Sequence, residues 1–429
     1  GGGRGGSSAP AVDTRAPLEV YHHKQTVVVP AGNMDTYTFG ECPFISDAIK
    51  DAVKTNFGFE RMTRVQHATI PHAAEGRDIV AKAQTGTGKT LAFLVPAIDR
   101  LAAQPVPKEL QNGPVAHYPI RCLVLSPTRE LTSQIATEAE GLLRPTGNKA
   151  LDAKRPQLVS QMFYGGRPMG RDISAIKSTR IDIVVATPGR LLDHLKTTEG
   201  FARRFAHLQV FVLDEADQML DMGFRPDLER IMNFLPSPDE RQTLLFSATI
   251  PAEIITFAPQ VLRRDFTVVS TTKDGPLAEP VHSSPLMPNP LESIRDDPLA
   301  TASLVEQSYS IVPSSLLLEH MMREVRAEKA ANRDSYKVMV FLPTARMAQL
   351  CAELLNAAGI ESLEIHSRVS QAKRTKASDA FKVADVGIMC CSDVTARGMD
   401  YPSVSLVLQV GLPSDQQQYV HRLGRTGRA

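Results

Sequence analysis

The sequence has few of the features that mark disulfide-bonded, metal-folded or membrane-spanning proteins. Its 429 residues include five cysteines, with no C-x-x-C pair and no cysteine–histidine spacing typical of a zinc site. This pattern predicts a reduced compartment and no structural metal. No apolar run reaches the length of a membrane span, so no membrane partner is expected.

An excess of charge of either sign is also missing. The 48 basic and 47 acidic side chains leave a formal net charge of +1, so a nucleic-acid site would have to be a local patch. Hydrophobic residues make up 42% of the chain, which indicates a globular protein with two to four domains. The chain begins at Gly1, as expected of a fragment or processed product. Its acid-free start indicates either a targeting remnant or, the interpretation we prefer, a disordered tail.

One stretch of glycine, lysine and threonine predicts a phosphate-binding loop. Residues 83–90 read AQTGTGKT and lie between an apolar run at 78–81 and a helical pattern from 91. A strand, a glycine-rich turn and a helix N-terminus together bind anions through backbone N–H groups and the helix dipole. Lys89 is expected to reach the β- and γ-phosphates, and the Thr90 hydroxyl to bind Mg²⁺. Ala83 stands where the strict pattern has glycine.

Acidic residues downstream predict the second half of a nucleoside triphosphatase site. An apolar strand at 211–213 leads into Asp214-Glu215-Ala216-Asp217. Asp214 is expected to hold Mg²⁺ through water, and Glu215 to act as general base for the attacking water. A strand at 243–246 ends in Ser247-Ala248-Thr249, whose hydroxyls could bond Asp217 and link the hydrolysis site to the far side of a cleft.

Strands that run directly into polar turns predict a parallel α/β sheet. Strands at 122–126, 157–164 and 181–186 lead into PTREL, GG and TPGR, at the carboxyl ends where such sheets bind ligands. Threonine, glycine and arginine at these turns suit sugar-phosphate contacts. Upstream, GFERMTRVQ ends at Gln66, whose amide offers the donor and acceptor needed to read adenine, and Phe39 could stack on the base.

The second half of the chain repeats the strand–helix rhythm after a proline-rich stretch. Residues 270–303 read as a linker, and an alternating pattern resumes at 305–311. Helices are predicted at 315–327, at 345–358 and from 371, with strands at 337–341, 362–365 and 386–390. The chain closes on YVHRLGRTGRA, a cluster of arginines suited to clamp phosphate charge in a transition state.

In their order, these motifs resemble those of the DEAD-box RNA helicases of superfamily 2. The motifs are GFERMTRVQ, AQTGTGKT, PTREL, GG, TPGR, DEAD, SAT, a FLPT segment, QxxR, SDVTARGMD and YVHRLGRTGRA. The resemblance implies an α/β fold of two tandem RecA-like domains, each a parallel sheet flanked by helices, with nucleotide and RNA at the interdomain cleft. It assigns 1–38 to an irregular extension, 39–269 to the ATP-binding domain, 270–303 to the linker and 304–429 to the second domain.

The resemblance also implies roles for individual residues. For ATP binding they are Phe39, Phe59, Gln66, Gln84, Thr85, Gly86, Thr87, Gly88, Lys89, Thr90 and Asp400, the last near the ribose. For catalysis they are Lys89, Asp214, Glu215, Arg425 and Arg428, with Thr90 and Asp214 holding Mg²⁺. For interdomain coupling they are Asp217, Ser247, Thr249, His421 and Arg422. For RNA they are Pro127, Thr128, Arg129, Gly166, Thr187, Gly189, Arg190, Pro343, Thr344, Arg368, Gln371, Arg374, Ser392, Asp393 and Arg397.

The implied activity is ATP-driven closure of the two domains on single-stranded or structured RNA, read through its backbone and 2′-hydroxyls. Met62-Thr63-Arg64-Val65-Gln66 resembles the branch acting in ribosome assembly and organellar RNA folding, which predicts ribosomal RNA, ribonucleoprotein partners and a mitochondrial location. A nucleolar, nuclear or cytoplasmic location is the alternative.

An ATP-locked RNA clamp with little turnover is the second functional hypothesis, and a processive DNA translocase is disfavoured by Asp217 and the adenine-reading segment. Ser367 replaces a usual glycine, and final elements of the second domain are expected beyond Ala429.

Overall fold

The computed structural model describes residues 37–84, 86–153, 157–271, 278–282, 291, 294, 307–393, 401 and 403–423. Strands in this part of the chain are β1 Asp78–Lys82, β2 Cys122–Leu125, β3 Ser160–Phe163, β4 Ile183–Ala186, β5 Val210–Leu213, β6 Gln242–Ser247, β7 Asp265–Ser270, β8 Ala278–His282, β9 Lys337–Leu342, β10 Leu363–Ile365, β11 Gly387–Ser392 and β12 Leu406–Gln409.

Helices alternate with these strands through most of the chain. They are α1 Asp47–Phe57, α2 Arg64–Ala74, α3 Lys89–Ala103, α4 Lys108–Gln111, α5 Arg129–Leu143, α6 Lys149–Asp152, α7 Met169–Ser178, α8 Pro188–Thr197, α9 Ala216–Asp221, α10 Arg225–Met232, α11 Ala252–Val261, α12 Leu317–Ala331, α13 Ala345–Ala357, α14 Gln371–Val383 and α15 Gln416–Leu423. Short 3₁₀ segments lie at Val115–His117, Ala202–His207, Pro238–Glu240 and Ser314–Leu316.

The first sheet has the order β3-β4-β2-β5-β6-β1-β7-β8, with every neighbouring pair parallel except the last. Its central strands are apolar runs buried along their whole length, because helices cover both faces of the sheet. One apolar core gathers α1, α2, α3 and α5 against one face, and a second gathers α8, α9 and α11 against the other. All of the predicted nucleotide and acidic motifs therefore end at one edge, the carboxyl ends of β1, β5 and β6.

The second sheet has the order β10-β11-β9-β12 and is parallel throughout. Helices α12 and α13 pack on one face with Val338, Val340 and Ile388, and α14 packs on the other with Met339 and Phe341. The predicted fold of two parallel α/β units is confirmed. No helix among the described residues is both long enough and apolar enough to cross a membrane.

Two stretches differ from the sequence-based expectation. Alternation at 305–311 predicted a strand, but residues 307–311 form none, and residues 305 and 306 lie outside the described residues. Part of the proline-rich stretch assigned to a linker instead belongs to the first unit: β8 pairs antiparallel with β7, and Leu291 and Ile294 are buried in its core. Lys82 Nζ also donates a hydrogen bond to the Ile294 carbonyl, at 2.9 Å. Local proline content did not reveal this because the pairing with β7 and the contact with Lys82 of β1 depend on the folded sheet.

Candidate functional site

The phosphate-binding loop connects β1 to α3. Gly86 and Gly88 have φ of 78° and 86°, left-handed values that glycine adopts without strain. Gly88 is also the N-cap residue of α3, and Thr87 closes the loop by donating from Oγ1 to the Gln84 carbonyl at 2.7 Å. The N–H groups of the first turn of α3 are thereby left for an anion.

Lys89 carries the strongest signal for an anionic ligand. Its side chain is 6% exposed, and Nζ has no hydrogen-bond partner among the residues that the structure describes. A buried ammonium without a partner is unfavourable, so the position is built for a group that supplies negative charge. Phosphate oxygens at the N-terminus of α3 would do so.

Two carboxylates face this lysine from the end of β5. Asp214 and Glu215 are both buried, and the Glu215 N–H donates to Asp214 Oδ1 at 3.0 Å. Burial raises the pKa of Asp214 to about 7; the charge of Lys89 opposes the rise, and that of Glu215 adds to it. Glu215 Oε2 has no partner among the described residues, and the residue has a left-handed φ of 53°. A bound cation would hold Asp214 in its charged form.

The donor set fits Mg²⁺, which proteins commonly hold through one or two protein oxygens together with substrate phosphates. Asp214 offers carboxylate oxygen and Thr90 a hydroxyl. The described residues contain no group of three or more His, Cys, Asp or Glu side chains that could hold a metal alone. Sequence reasoning missed Glu138 on α5, whose pKa is raised by burial, while hydrogen bonds from Gln134 and Thr90 and the charge of Lys382 lower it. No motif pointed to Glu138.

The predicted adenine-reading segment joins the loop through Gln66. Its Oε1 accepts from the Thr63 N–H at 2.9 Å as part of a capping box, and its Nε2 donates to the Gly88 carbonyl at 3.0 Å. Nε2 of Gln66 has a second N–H that can donate, and Oε1 has a second lone pair that can accept. Phe39, predicted to stack on the base, is 2% exposed and packs in the same apolar core as α1 and α2, so its contact with a base stays a prediction. Tyr37, which the sequence did not suggest, stacks on His67, the residue after Gln66, at 3.4 Å between ring centroids.

The acidic motif is tied to the end of β6, as the sequence predicted. Asp217 Oδ2 accepts hydrogen bonds from the Thr249 N–H at 2.9 Å and from the Thr249 hydroxyl at 2.6 Å. The Asp217 N–H donates to Ser247 Oγ at 3.2 Å. Because all three side chains are buried, a displacement of the acidic motif would also displace the end of β6, and the reverse.

The turns predicted to contact RNA in the first unit lie side by side. Thr128 is the N-cap residue of α5, and Pro127 and Thr187 are buried at the ends of β2 and β4. Arg129 lies against Gly165 and Gly166; a Cβ at Gly166 would overlap its Nη1. Gly189 is half-buried in the first turn of α8.

Arg190 differs from the expectation that it contacts RNA. Its side chain is 9% exposed, and Nη1 lies 3.6 Å from Asp172 Oδ2. Its Nη2 donates to the Arg167 carbonyl, and Asp172 also bonds the buried His194 Nε2 at 3.2 Å. The sequence could not reveal this because α7 and α8, which carry the partners, meet only in the folded chain.

Predicted RNA contacts of the second unit meet the first unit. Gln371 Nε2 donates to Glu130 Oε1 at 3.0 Å, Arg374 forms an ion pair with the same oxygen, and Arg129 Nη1 donates to Gln371 Oε1 at 3.4 Å. The PTREL and QxxR motifs therefore join the two units directly.

The remaining predicted residues of the second unit hold its own elements. Thr344 is the N-cap residue of α13, Pro343 beside it is exposed, and Arg368 Nε donates to Gln349 Oε1 at 3.3 Å. Ser392 ends β11. Arg422, predicted to couple the domains, instead makes a two-point contact with Asp393 of the same unit, at 2.6 and 2.8 Å.

Five predicted residues, Thr85, Arg397, Asp400, Arg425 and Arg428, lie outside the described residues. The backbone of His421 lies in α15.

Comparison with known proteins identifies related families and folds. A family model for the DEAD/DEAH box helicase matches residues 63–257, and one for the helicase conserved C-terminal domain matches residues 317–429. The chain is 42% identical over 403 residues to DEAD-box ATP-dependent RNA helicase 26 of Oryza sativa subsp. japonica, covering 93% of this chain and 66% of that protein. It is also 42% identical over 393 residues to helicase 25 of the same species, covering 91% and 59%.

Solved structures agree with the fold. A structure of Mss116p bound to ssRNA and AMP-PNP has a TM-score of 0.75 and 28% identity, over 94% of this chain and 74% of that one. S. cerevisiae Dbp5 bound to RNA and ADP BeF3, at 22% identity and a TM-score of 0.68 over 91% and 86% of the two chains, shares the fold. The chain spans between 39% and 66% of the length of the curated relatives compared with it. With both family models matched in order and these relatives aligned over most of its length, the chain belongs to the DEAD-box ATP-dependent RNA helicase family.

Proposed function

We propose that this protein is an RNA-dependent ATPase that remodels RNA locally. The observation that carries the proposal is the buried Lys89 Nζ at the N-terminus of α3, which bonds none of the described residues and whose charge acts on the buried Asp214. A site with one cation and two acids at a glycine-rich loop suits a nucleoside triphosphate with its metal.

Each side chain then has a defined task. Lys89 binds phosphate oxygens and stabilises the charge on them, while the N–H groups of α3 hold the same oxygens. Glu215 accepts the proton of the attacking water at Oε2, which no other described residue bonds. Thr90 and Asp214 would hold Mg²⁺, which when bound neutralises charge on the phosphates.

The contact between Glu130 and Arg374 supports a coupled response to RNA. Arg129, Gln371 and Arg374 lie together at the boundary of the two units, so one RNA strand could touch both. ATP-driven closure would hold that strand across the boundary, and hydrolysis would release it. We propose single-stranded RNA, bound through its backbone, as the substrate class.

For the biological setting we propose ribosomal RNA maturation in mitochondria. Support comes from Met62-Thr63-Arg64-Val65-Gln66, which resembles the ribosome-assembly and organellar branch. Crosslinking of the protein to RNA in cells, followed by sequencing, tests the proposal together with imaging of the tagged full-length protein. Enrichment of messenger RNA rather than ribosomal RNA, or a nucleolar signal, would contradict it.

The activity is tested by steady-state ATPase assays with and without single-stranded RNA. We expect stimulation by RNA, and a fall of about 10²- to 10⁴-fold in Glu215→Gln, since a general base is lost. Glu253→Gln, an exposed position on α11, is the matched control and should retain activity. Wild-type protein that binds RNA with ATP yet does not turn over would establish the clamp instead, and equal stimulation by DNA would remove the RNA specificity.

A further inference from the structure

The guanidinium of Arg190 already bonds residues of the first unit. Its guanidinium contacts the buried Asp172 and the Arg167 carbonyl, and only 9% of the residue is exposed. Asp172 is held in turn by His194, which has Thr198 Oγ1 at 2.9 Å from its other ring nitrogen. Arg190 therefore fixes the backbone after the GG turn and has little surface left for a phosphate.

Arg167 has the opposite arrangement. It follows Gly166 directly, and its side chain is exposed. Its guanidinium carbon lies 4.4 Å from the centre of the Tyr164 ring, within the range of a cation–π interaction. The ring is buried at the end of β3, so it forms a rigid support for the charge.

The backbone that carries Arg167 is fixed on both sides. Arg129 lies against Gly166, and Arg190 bonds the Arg167 carbonyl. Burial raises the pKa of Tyr164; the charges of Arg167 and Arg129 oppose the rise, and those of Glu130 and Asp172 add to it. An arginine ordered before binding loses less side-chain entropy when it contacts a ligand.

We propose that Arg167 is an RNA-phosphate contact of the first unit, and that Arg190 is a positioning residue that holds it in place. This inference rests on the proposed function, because the ligand is the backbone phosphate of the same RNA strand. Arg167 and Arg129 then form neighbouring contacts on either side of Gly166. Such contacts set affinity and position without reading sequence.

The test is the salt dependence of binding to a labelled oligouridine in the presence of a non-hydrolysable ATP analogue. Each phosphate contact contributes about 0.7 to the slope of log K against log salt for a single strand. We expect Arg167→Gln to reduce the slope by about 0.7 and to weaken binding about tenfold, with unchanged ATP affinity and thermal stability. Arg190→Gln should weaken RNA binding as well as lower the thermal midpoint, because the Arg167 carbonyl loses its hydrogen bond and Asp172 loses its cation. RNA affinity equal to that of the wild type would overturn the positioning role of Arg190.

Arg180→Gln is the matched control. Arg180 is also exposed and also lies over a tyrosine, 5.8 Å from the centre of the Tyr118 ring. It precedes β4, however, and so lies at the amino ends of the strands, opposite the end that carries the GG turn. The slope of log K against log salt for Arg180→Gln should equal that of the wild type. An unchanged slope in Arg167→Gln would overturn the assignment while leaving the proposed function standing. Failure of the wild-type protein to bind RNA at all would overturn both.

Discussion

At the scale of single residues, Gly166 shows how tightly the GG turn is packed. Its φ of 88° is left-handed, and a Cβ there would overlap Nη1 of Arg129. Any side chain would bring backbone strain and displace the guanidinium. Glycine at this position therefore determines where a predicted RNA-binding arginine lies.

Gly166→Ala should raise the RNA concentration needed for half-maximal ATPase stimulation severalfold and lower the free energy of unfolding by about 1–2 kcal/mol. ATP binding should not change, because the phosphate loop is on another strand. Gly170→Ala is the control, since nothing lies within 4 Å of its Cβ position and α7 accommodates alanine. Equal RNA dependence in the two variants would contradict the predicted role of Arg129.

His194 predicts an acid-sensitive stability of the first unit. Burial lowers its pKa, against the hydrogen bond and charge of Asp172, which raise it. The unfolded chain has a histidine pKa of about 6.5, so below that pH it binds more protons than the folded chain. The contribution of this histidine to the free energy of unfolding should therefore fall as pH drops below 6.5, by up to about 1.4 kcal/mol per pH unit.

Urea unfolding at a series of pH values measures this dependence. Burial also lowers the pKa of His67 and His72, while it raises the pKa of Asp214, Glu138 and Asp78, so the wild-type slope is a sum of contributions of both signs. His194→Gln should reduce the slope without removing it. An identical slope in the variant and the wild type would refute the role of His194.

Motif spacing was sufficient to predict the position of residues whose role depends on their neighbours in the chain. Lys89 and Asp214 follow directly from a glycine-rich loop and an acidic strand end, and the contact of Asp217 with Thr249 was predicted from the ends of two strands. The burial of Phe39 and Arg190 was not predictable, because it is decided by helices packed from elsewhere in the chain. Side-chain type indicates which chemistry is possible, whereas burial decides whether a ligand can reach it.

At the scale of elements, β8 together with Leu291 and Ile294 enlarges the first unit. Prolines around them suggested an irregular linker, yet β8 extends the sheet at β7 and Leu291 is fully buried. The loss of backbone freedom in this stretch is offset by apolar burial in a core built by other elements. Composition alone carries no information on that core.

Leu291→Ala should destabilise the first unit by about 2–5 kcal/mol, the usual effect of truncating a buried leucine. Urea unfolding followed by circular dichroism gives the value. Leu412→Ala, at a residue that is 91% exposed, should change stability by less than about 0.5 kcal/mol. Matching behaviour of the two variants would show that Leu291 does not pack on the first unit in solution.

At the scale of the whole molecule, one acidic residue joins the two units. Glu130 lies on α5 of the first unit and accepts from Gln371 and Arg374 of α14 in the second. The same cluster includes Arg129, which touches the GG turn. An event at either unit can reach the other through this buried contact, because breaking it leaves a charge without a partner.

Exchanging the charges of this pair tests the coupling. Glu130→Arg and Arg374→Glu should each reduce RNA-stimulated ATPase activity, and the double variant should recover part of the loss, with a coupling energy of about 0.5–3 kcal/mol. The matched exchange uses Arg225 and Glu229, an exposed pair 3.0 Å apart on α10, and should have no effect. Additive losses in the Glu130 and Arg374 variants would mean that the two residues act independently.

The left-handed backbone of Glu215 lowers the free energy of unfolding of the protein. A glutamate at φ of 53° is less favourable than asparagine, which tolerates this conformation better. Glu215→Asn should therefore be more stable than Glu215→Gln, by up to about 1 kcal/mol, while both lack the general base. With Glu215 as the proposed proton acceptor, glutamate at this position would be a trade-off between activity and stability at one residue.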